Sequence, residues 1–283
     1  MKKRNAAAEK RALAESVREA YMEIFPTATI EARLDVLEPG SYVAVTCSPS
    51  KGVAETLNMS ERLAKRGFKV VPHIAARMVR DKAHLGEIMA HLNDLPIVSI
   101  FVPGGDAPQP VGDYAKALEL LRDISEFDHR FTEIGVAGHP EGHPVVSNEV
   151  LVDELIKKQQ YSNYVVTQMC FDAGLIANWV REIRDSGITL PVWLGLPGVS
   201  NRSQLMATSL RIGVGNSLRY LKNHGKIVAV LLRTREYRPD DLLVALTPYL
   251  ADPELDIRGY HIYCFNQLEK AEQWRREFLA ELE

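Results

Sequence analysis

Residues 98–114 read V-S-I-F-V-P-G-G-D-A-P-Q-P-V-G-D-Y, and this stretch decides the fold. Residues 97–102 form an uncharged, largely β-branched run that overlaps the start of this stretch. Pro-Gly-Gly at residues 103–105 ends the run abruptly. Such a run is typical of a parallel strand that is buried on both faces. Asp106 follows at the carboxyl end of that strand, where α/β barrels place their chemistry. A plain loop in which Asp106 caps a helix is the alternative interpretation.

The alternation of a short apolar segment with a helical segment repeats along the chain. Predicted strands cover residues 18–25, 41–46, 68–71, 97–102, 133–138, 164–168, 191–196 and 259–264. Predicted helices cover residues 1–16, as a solvated N-terminal helix, and residues 58–66, 81–92, 113–122, 148–160, 173–186, 202–250 in several pieces, and 267–282. This alternation indicates βα units and a parallel sheet. It predicts an α/β fold, a single (β/α)8 TIM barrel with an N-terminal helix, as one catalytic domain over residues 1–283.

Composition narrows the class of protein. The chain has 283 residues, of which 46% are hydrophobic, and a formal net charge of −3. Because there is neither a basic excess nor a long Lys/Arg run, we expect no nucleic-acid or membrane partner. We expect no transmembrane helix and no signal peptide, since no long apolar run is present. Cys47, Cys170 and Cys264 lack CxxC spacing, which argues against a disulfide framework or zinc site and for a reducing cytoplasm.

Polar side chains stand at the predicted carboxyl end of nearly every strand. They are Glu23, Thr46, His73, Asp106, His139, His143, Gln168, Tyr263 and Asn266. Each alone has an ordinary explanation, such as a solvated charge, a helix cap or a surface loop residue. A barrel would bring all of them to one mouth, and that joint placement favours a functional site.

Common metal, nucleophile and nucleotide motifs are missing from the sequence. His139 and His143 are four residues apart, but a proline follows each and prevents a helical H-x-x-x-H face, so we predict no metal site. The sequence has no G-x-S-x-G elbow and no G-x-x-x-x-G-K-[ST] loop. A G-V-G run at residues 213–215 lacks the third glycine of a Rossmann fingerprint and follows no clear strand.

Short motifs at the predicted strand ends resemble, in order, those of one enzyme family. The chain carries E-I-F-P (23–26), V-T (45–46), P-H (72–73), G-D (105–106), P-E-G-H-P (140–144), T-Q-M-C-F-D (167–172), P-G-V-S-N (197–201) and Y-C-F-N (263–266). Each motif is weak alone, but the series is similar to that of the methylenetetrahydrofolate reductases. The resemblance spans nearly the whole catalytic barrel of that family.

This resemblance implies a TIM barrel that binds FAD at its mouth and acts in one-carbon metabolism and methionine biosynthesis. Such an oxidoreductase passes a hydride from NAD(P)H through the flavin to 5,10-methylenetetrahydrofolate, giving 5-methyltetrahydrofolate, or catalyses the reverse oxidation. The implied partners are a tetrahydrofolate derivative and NAD(P)H. A homo-oligomer is left open.

The resemblance also assigns roles position by position. Glu23 would be the general acid that helps to open the folate ring, Asp106 would balance positive charge on the activated folate, and Gln168 would hydrogen-bond to it. The positions that match FAD-binding residues are Thr46, His73, Gly105, Asp106, Tyr114, Ala115, His139, His143 and Lys157. The positions that match substrate-binding residues are Glu23, Gln168, Arg202, Tyr263 and Gln267.

The chain departs from the family's pattern at several of these positions. Gly104 stands where an arginine usually meets the FAD diphosphate, and Gln267 where an arginine usually meets the folate tail. His139 and Arg202 replace aromatic residues, and K-K-Q-Q-Y-S at residues 157–162 replaces K-x-D-x-G-A. Because flavin-free reductases of this substrate also exist, a flavin-free enzyme stays open. A non-redox folate-binding or methyltransferase-type barrel is the alternative of another class.

Overall fold

The structure of the protein is a computed structural model, which describes residues 6–201, residue 205 and residues 236–282. Within those residues, eight strands form one parallel sheet in the order β3-β2-β1-β8-β7-β6-β5-β4. The strands are β1 (Tyr21–Ile24), β2 (Tyr42–Val45), β3 (Lys69–Pro72), β4 (Ser99–Val102), β5 (Glu133–Gly138), β6 (Tyr164–Thr167), β7 (Val192–Pro197) and β8 (Ile257–Tyr263). A parallel bridge between His73, directly after β3, and Phe101 of β4 joins the two ends of the sheet. The predicted (β/α)8 TIM barrel is confirmed.

Helices cover the outer face of the barrel. In the described part of the chain they are α1 (Ala6–Arg18), α2 (Ile30–Arg33), α3 (Gly52–Lys65), α4 (Lys82–Asn93), α5 (Ala117–Ile124), α6 (Asn148–Lys158), α7 (Ala173–Asp185), α8 (Asp240–Leu250) and α9 (Leu268–Leu282). α3 begins six residues earlier than residue 58, because its first turns bury Val53 and Leu57 in the core. α5 begins later than residue 113, because the Glu119 carboxylate accepts hydrogen bonds from the N–H groups of Ala115 and Lys116 and caps the helix there.

The predicted helical region over residues 202–250 needs a correction. Glu236–Tyr237 is a short strand, and it pairs antiparallel with Ser200–Asn201. α8 supplies the last helical piece. Apart from residue 205, residues 202–235 lie outside the described residues, and with them Arg202 and the G-V-G run at 213–215.

Period-two alternation along the strands divides the side chains between two apolar layers. In β1, Met22 and Ile24 face the main core under the helices, whereas Tyr21 and Glu23 face the barrel interior. The interior layer consists of Tyr21, Ala44, Val71, Phe101, Tyr164 and Val166, with Tyr42, Ala137 and Trp193 packed against it. Burying a large apolar side chain contributes roughly 1.5–3 kcal/mol, so this layer is a well-packed floor beneath the carboxyl end of the barrel.

The N-terminal helix is confirmed, but it is not solvated on all sides. Leu13 and Val17 of α1 are buried, and α1 packs against α8, α9 and β8. The Arg275 guanidinium of α9 donates a hydrogen bond to the Arg18 carbonyl at the end of α1 (3.1 Å). Tertiary packing of one apolar stripe therefore anchors a helix that is otherwise rich in charged residues. None of the helices in the described ranges combines the length and the apolar character that crossing a membrane requires.

Candidate active site

A buried carboxylate faces the barrel interior at the carboxyl end of β1. Glu23 is 8% exposed, and in the parallel ladder it lies beside Tyr263 of β8. His261 comes two residues before Tyr263, so the alternation of β8 turns both side chains into the barrel. The His261 ring is 3% exposed, and its Nε2 lies 2.9 Å from Glu23 Oε2. The site therefore begins with a buried carboxyl–imidazole hydrogen bond.

Aromatic rings enclose this pair. The Tyr21 ring stacks on the His261 ring at a centroid distance of 6.1 Å and an interplanar angle of 19°. The Tyr263 ring lies at a centroid distance of 5.3 Å from the His261 ring and is tilted by 59° to it. Its hydroxyl donates a hydrogen bond to the Thr167 carbonyl (3.1 Å), which ties β8 to β6 across the mouth. Few water molecules can reach Glu23 from below, since the interior apolar layer lies beneath it.

Two further polar groups point into the same mouth without a partner. Thr46 directly follows β2 and His73 directly follows β3, and both side chains are buried. Among the residues that the structure describes, Thr46 Oγ1 and His73 Nε2 make no hydrogen bond. Burial, followed by the charge of His261, holds the pKa of His73 well below its usual range, so this imidazole is neutral. Buried polar atoms are normally paired, and these two therefore fit the polar edge of a bound ligand.

We call Glu23, Thr46, His73 and His261 the mouth cluster. Three of its members, Glu23, His73 and His261, have ligand atoms within 4.8 Å of one another, and two histidines with a carboxylate can hold a transition metal. The direct hydrogen bond between Glu23 and His261 accounts for their approach without an ion. That this site holds no metal stays a prediction.

The loop after β4 brings Asp106 to the edge of the mouth. Gly105 has a φ of +97°, and a Cβ there would lie 3.0 Å from the Ala75 Cβ, so the turn requires glycine. A Cβ on Gly104 would meet nothing within 4 Å. Burial raises the pKa of Tyr263 well above its usual range, and the negative charges of Glu23 and Asp106 add to the shift. Asp106 is exposed and therefore faces the mouth cluster from the solvent side.

An apolar wall stands beside these groups. It comprises Met169, Phe171, Leu205 and Phe265, with Phe25, Tyr237 and Tyr263 packed against it. Gln168, directly after β6, is half-buried, and its Oε1 accepts a hydrogen bond from the Met169 N–H (2.8 Å). Polar edge groups next to an aromatic wall are typical of sites for flat heterocycles.

Asn266 shapes the end of β8. Its side-chain oxygen accepts from the Phe25 N–H (2.8 Å), and its amide donates to the Phe25 carbonyl (3.1 Å). Phe265 and Asn266 both have positive φ, which forms the turn after β8. The Y-C-F-N motif therefore fastens the end of β8 to the end of β1, where Glu23 lies. Gln267 follows this turn, and its N–H donates to the Cys264 carbonyl.

The remaining predicted cofactor residues form a separate set, which we call the flank group: Tyr114, Ala115, His139, His143 and Lys157. The Tyr114 hydroxyl donates to the Asp123 carboxylate (2.6 Å), and the exposed Lys157 pairs with Asp153 (2.5 Å). The His139 and His143 rings meet edge-on at 5.5 Å. None of the described hydrogen bonds or ring contacts joins this group directly to the mouth cluster, although Arg77, in the turn after β3, donates to the Ala115 carbonyl (3.5 Å).

Burial dominates the electrostatics of the flank group. It lowers the pKa of His139 to about 4, with further contributions from Lys158 and His143. It also lowers the pKa of Lys158 to about 8. His139, Lys158 and Trp179 line a cavity of about 70 Å³ between α6 and α7. A volume of that size holds only a few water molecules.

Sequence reasoning missed His261. The signal that could have found it is the H-x-Y spacing within β8, since residues two apart on a strand share a face. Tyr263 was assigned to the mouth, so His261 had to face the same interior. Its contact with Glu23 depends on the register in which β8 pairs with β1, which sequence patterns do not specify.

Comparison with known proteins decides the family. The model of the methylenetetrahydrofolate reductase family matches residues 27–212, which is more than half of the 283-residue chain. The chain belongs to the methylenetetrahydrofolate reductase family. The match ends before β8, so it does not include His261 or Tyr263.

Known reductases align with part of this family member. Methylenetetrahydrofolate reductase 2 of Saccharomyces cerevisiae is 29% identical over 185 residues, covering 59% of this chain and 29% of the yeast protein. Methylenetetrahydrofolate reductase (NADH) 1 of Arabidopsis thaliana is 28% identical over 126 residues, covering 37% of this chain and 21% of the plant protein. The chain therefore spans less than a third of the length of these curated relatives.

Solved structures share the fold only. A chitinase from Bacteroides thetaiotaomicron superposes with a TM-score of 0.53 at 13% sequence identity, covering 93% of this chain and 97% of the chitinase. At that identity the likeness concerns the barrel and carries no information about substrate.

Proposed function

We propose that this protein is a methylenetetrahydrofolate reductase. It transfers a hydride that originates from NAD(P)H to 5,10-methylenetetrahydrofolate and forms 5-methyltetrahydrofolate, or it catalyses the reverse oxidation. The observation that carries the proposal is the buried Glu23 at the barrel mouth, with the exposed Asp106 at the edge of that mouth, in a chain of this family. The two carboxyl groups have the different surroundings that an acid and a charge stabiliser require.

Proton transfer from Glu23 is the step that prepares the folate. Opening of the five-membered ring breaks the bond between the bridging methylene and N10, and the electron pair of that bond goes to N10. Glu23 supplies the proton that N10 takes up, and the methylene remains as a cationic iminium at N5. A buried carboxyl group at the barrel mouth is placed to act as this general acid. The negative charge of Asp106 stabilises the cation, which then accepts the hydride.

FAD is the cofactor we propose for the mouth, and when bound it supplies the carrier that passes the hydride from NAD(P)H to folate. The unpartnered Thr46 Oγ1 and His73 Nε2 would hold its polar edge. Gly105 would let the backbone of the β4 loop approach it closely. With glycine at position 104, no arginine at this position meets the diphosphate, so we expect weak retention of FAD.

Substrate positioning would rest on the other side of the mouth. The apolar wall that includes Phe171 and Phe265 offers a surface on which a pterin can stack. Gln168 is placed beside that wall and would hydrogen-bond to the pterin edge. Tyr263, whose hydroxyl is held by the Thr167 carbonyl, would contribute the face of its ring.

The proposal is tested by an activity assay on the purified protein. Protein is incubated with 5,10-methylenetetrahydrofolate and either NADH or NADPH, with and without added FAD, and 5-methyltetrahydrofolate is measured by mass spectrometry. We expect product that depends on the reduced nucleotide and increases with FAD. Product formation that does not change with FAD would favour the flavin-free mechanism. The absence of nucleotide oxidation under all conditions would favour a non-redox folate-binding barrel.

A further inference from the structure

We propose that His261 is a positioning residue for Glu23: its Nε2–H holds Glu23 Oε2, so that the transferable proton is on Oε1. The inference deepens the proposed function and rests on it. Its basis is the 2.9 Å contact between the two buried side chains, on adjacent strands of the barrel. The segment that matches the family model, residues 27–212, ends before His261.

The hydrogen bonds of the Glu23 carboxyl group are asymmetric. Oε2 is occupied by His261, whereas Oε1 makes no hydrogen bond among the described residues. When Nε2–H of His261 donates to Oε2, that oxygen acts as an acceptor, and the acidic proton is placed on Oε1. Oε1 is therefore the atom that can deliver a proton to N10 of the folate.

The same hydrogen bond acts after proton transfer. When the proton leaves Oε1, Glu23 becomes a carboxylate inside an apolar enclosure, which is costly unless a donor satisfies it. The Nε2–H of His261 remains on Oε2 and stabilises the new charge. A hydrogen bond to a charged group contributes more than one between neutral groups, so this contact strengthens as the reaction proceeds. An interaction that is stronger in the transition state than in the ground state accelerates the proton transfer.

No charged neighbour of His261 competes with it for the Glu23 carboxylate among the described residues. The titratable groups around its ring are Tyr21 and Glu23 of β1, His73 after β3 and Tyr263 of β8. On the other side, β7 presents Gly195 in register with His261, and Gly195 carries no side chain. Burial keeps His73 neutral, so no cation next to the pair competes for the Glu23 carboxylate.

Variants at position 261 show whether His261 acts as a hydrogen-bond donor or only fills space by packing. His261→Phe keeps a ring and removes the donor, and His261→Leu is a second variant without a donor should the larger ring disturb folding. His261→Gln places an amide N–H near the position of Nε2. Tyr21→Phe is the matched control, since it alters a residue stacked on the same imidazole while keeping the ring. The readout is single-turnover formation of 5-methyltetrahydrofolate, which applies with or without flavin.

We expect His261→Phe and His261→Leu to slow this step by roughly 10–100-fold, the worth of a hydrogen bond to a charged group. His261→Gln should stay within about threefold of the parent chain, and so should Tyr21→Phe. If the donor-less variants react at the parent rate, or if the glutamine variant is as slow as they are, the proposal is wrong.

A double-mutant cycle shows whether His261 acts through Glu23. In a Glu23→Gln background, we expect His261→Phe to have little additional effect, because the group that it positions is already disabled. Equal losses in both backgrounds would overturn the proposal. If Glu23→Gln alone leaves the step unchanged, the assignment of Glu23 in the proposed function fails instead. The two failures are therefore distinguishable.

Discussion

The mouth cluster and the flank group are both rich in polar side chains, but they use them differently. In the flank group, the Tyr114 hydroxyl is committed to Asp123, and Lys157 to Asp153. In the mouth cluster, Thr46 Oγ1 and His73 Nε2 are buried and lack partners within the described residues, and Glu23 bonds through one oxygen. Polar atoms satisfied by their neighbours support the architecture, whereas the buried unpartnered atoms of the mouth cluster are available to a ligand.

The largest effect is expected at Glu23. Glu23→Gln keeps the shape of the side chain and removes the acidic proton, so the reduction of folate should slow by roughly 10²–10⁴-fold, the usual worth of a general acid. Reduction of bound FAD by NAD(P)H needs no such proton and should change far less. Stopped-flow measurement of each half-reaction checks this. A loss shared equally by both half-reactions would make Glu23 a structural residue and remove the contrast between the two regions.

The next largest effect is expected on FAD affinity, when the arginine usual in the family is introduced at position 104. The site has room for a side chain, since a Cβ on Gly104 meets nothing within 4 Å. Gly104→Arg should lower the Kd for FAD by roughly tenfold or more, because a charge-assisted hydrogen bond to phosphate contributes about 1.5–3 kcal/mol. Gly104→Gln is the uncharged control. Titration of the apoprotein by calorimetry gives both constants, and equal affinities for the two variants would argue against a diphosphate beside this loop.

A smaller effect is expected from the neighbouring glycine. Gly105→Ala forces an alanine to a φ of +97° and brings its Cβ to within 3.0 Å of the Ala75 Cβ. We expect it to lower the free energy of unfolding by about 1–2 kcal/mol and to displace Asp106. Gly104→Ala is the matched control and should be nearly neutral. Denaturant unfolding of both variants measures the difference, which would vanish if the loop were free to adopt another conformation.

The smallest effect concerns pH and lies in the flank group. The pKa of His139 is lowered to about 4, below its value in the unfolded chain. The unfolded state therefore binds more protons between about pH 6.5 and pH 4, and the free energy of unfolding falls as the pH is lowered through that window. Because the His139 ring is half-buried, we expect its contribution to be on the order of 1 kcal/mol. In His139→Gln, the free energy of unfolding should therefore fall by about that much less when the pH is lowered. Melting temperatures at pH 7 and pH 4.5 test it, and an unchanged acid slope would contradict it.

Added FAD should stabilise variants of the flank group and of the mouth cluster to different extents, and the same melting experiment can measure this. His73 also has its pKa lowered by burial, and it lies in the mouth cluster, where the proposed cofactor would contact it. Added FAD should therefore raise the melting temperature of the His139→Gln variant as much as that of the parent chain, and that of His73→Gln less. An equal response of the two variants to FAD would contradict the separation.

Much of the fold followed from sequence patterns. Apolar runs that end at Gly or Pro predicted the eight strands, and residues 133–138 coincide with β5 at both ends. The boundaries that shifted, such as the start of α3, depend on burial of Val53 and Leu57, which is a tertiary effect. The strand at Glu236–Tyr237 was missed because its pairing with Ser200–Asn201 joins residues far apart in the chain.

Sequence patterns were enough to predict the barrel and to place Glu23, Thr46, His73, Asp106 and Gln168 at strand ends. They could do so because the alternation of strands and helices, and the two-residue period within a strand, are local properties of the chain. Which of these side chains contact one another depends on the three-dimensional packing of the strands. The hydrogen bond between Glu23 and His261 joins residues 238 positions apart, and it exists because closing the barrel places the last strand beside the first. The separation of the flank group from the mouth cluster is of the same kind, since it depends on which partner each polar atom finds in three dimensions.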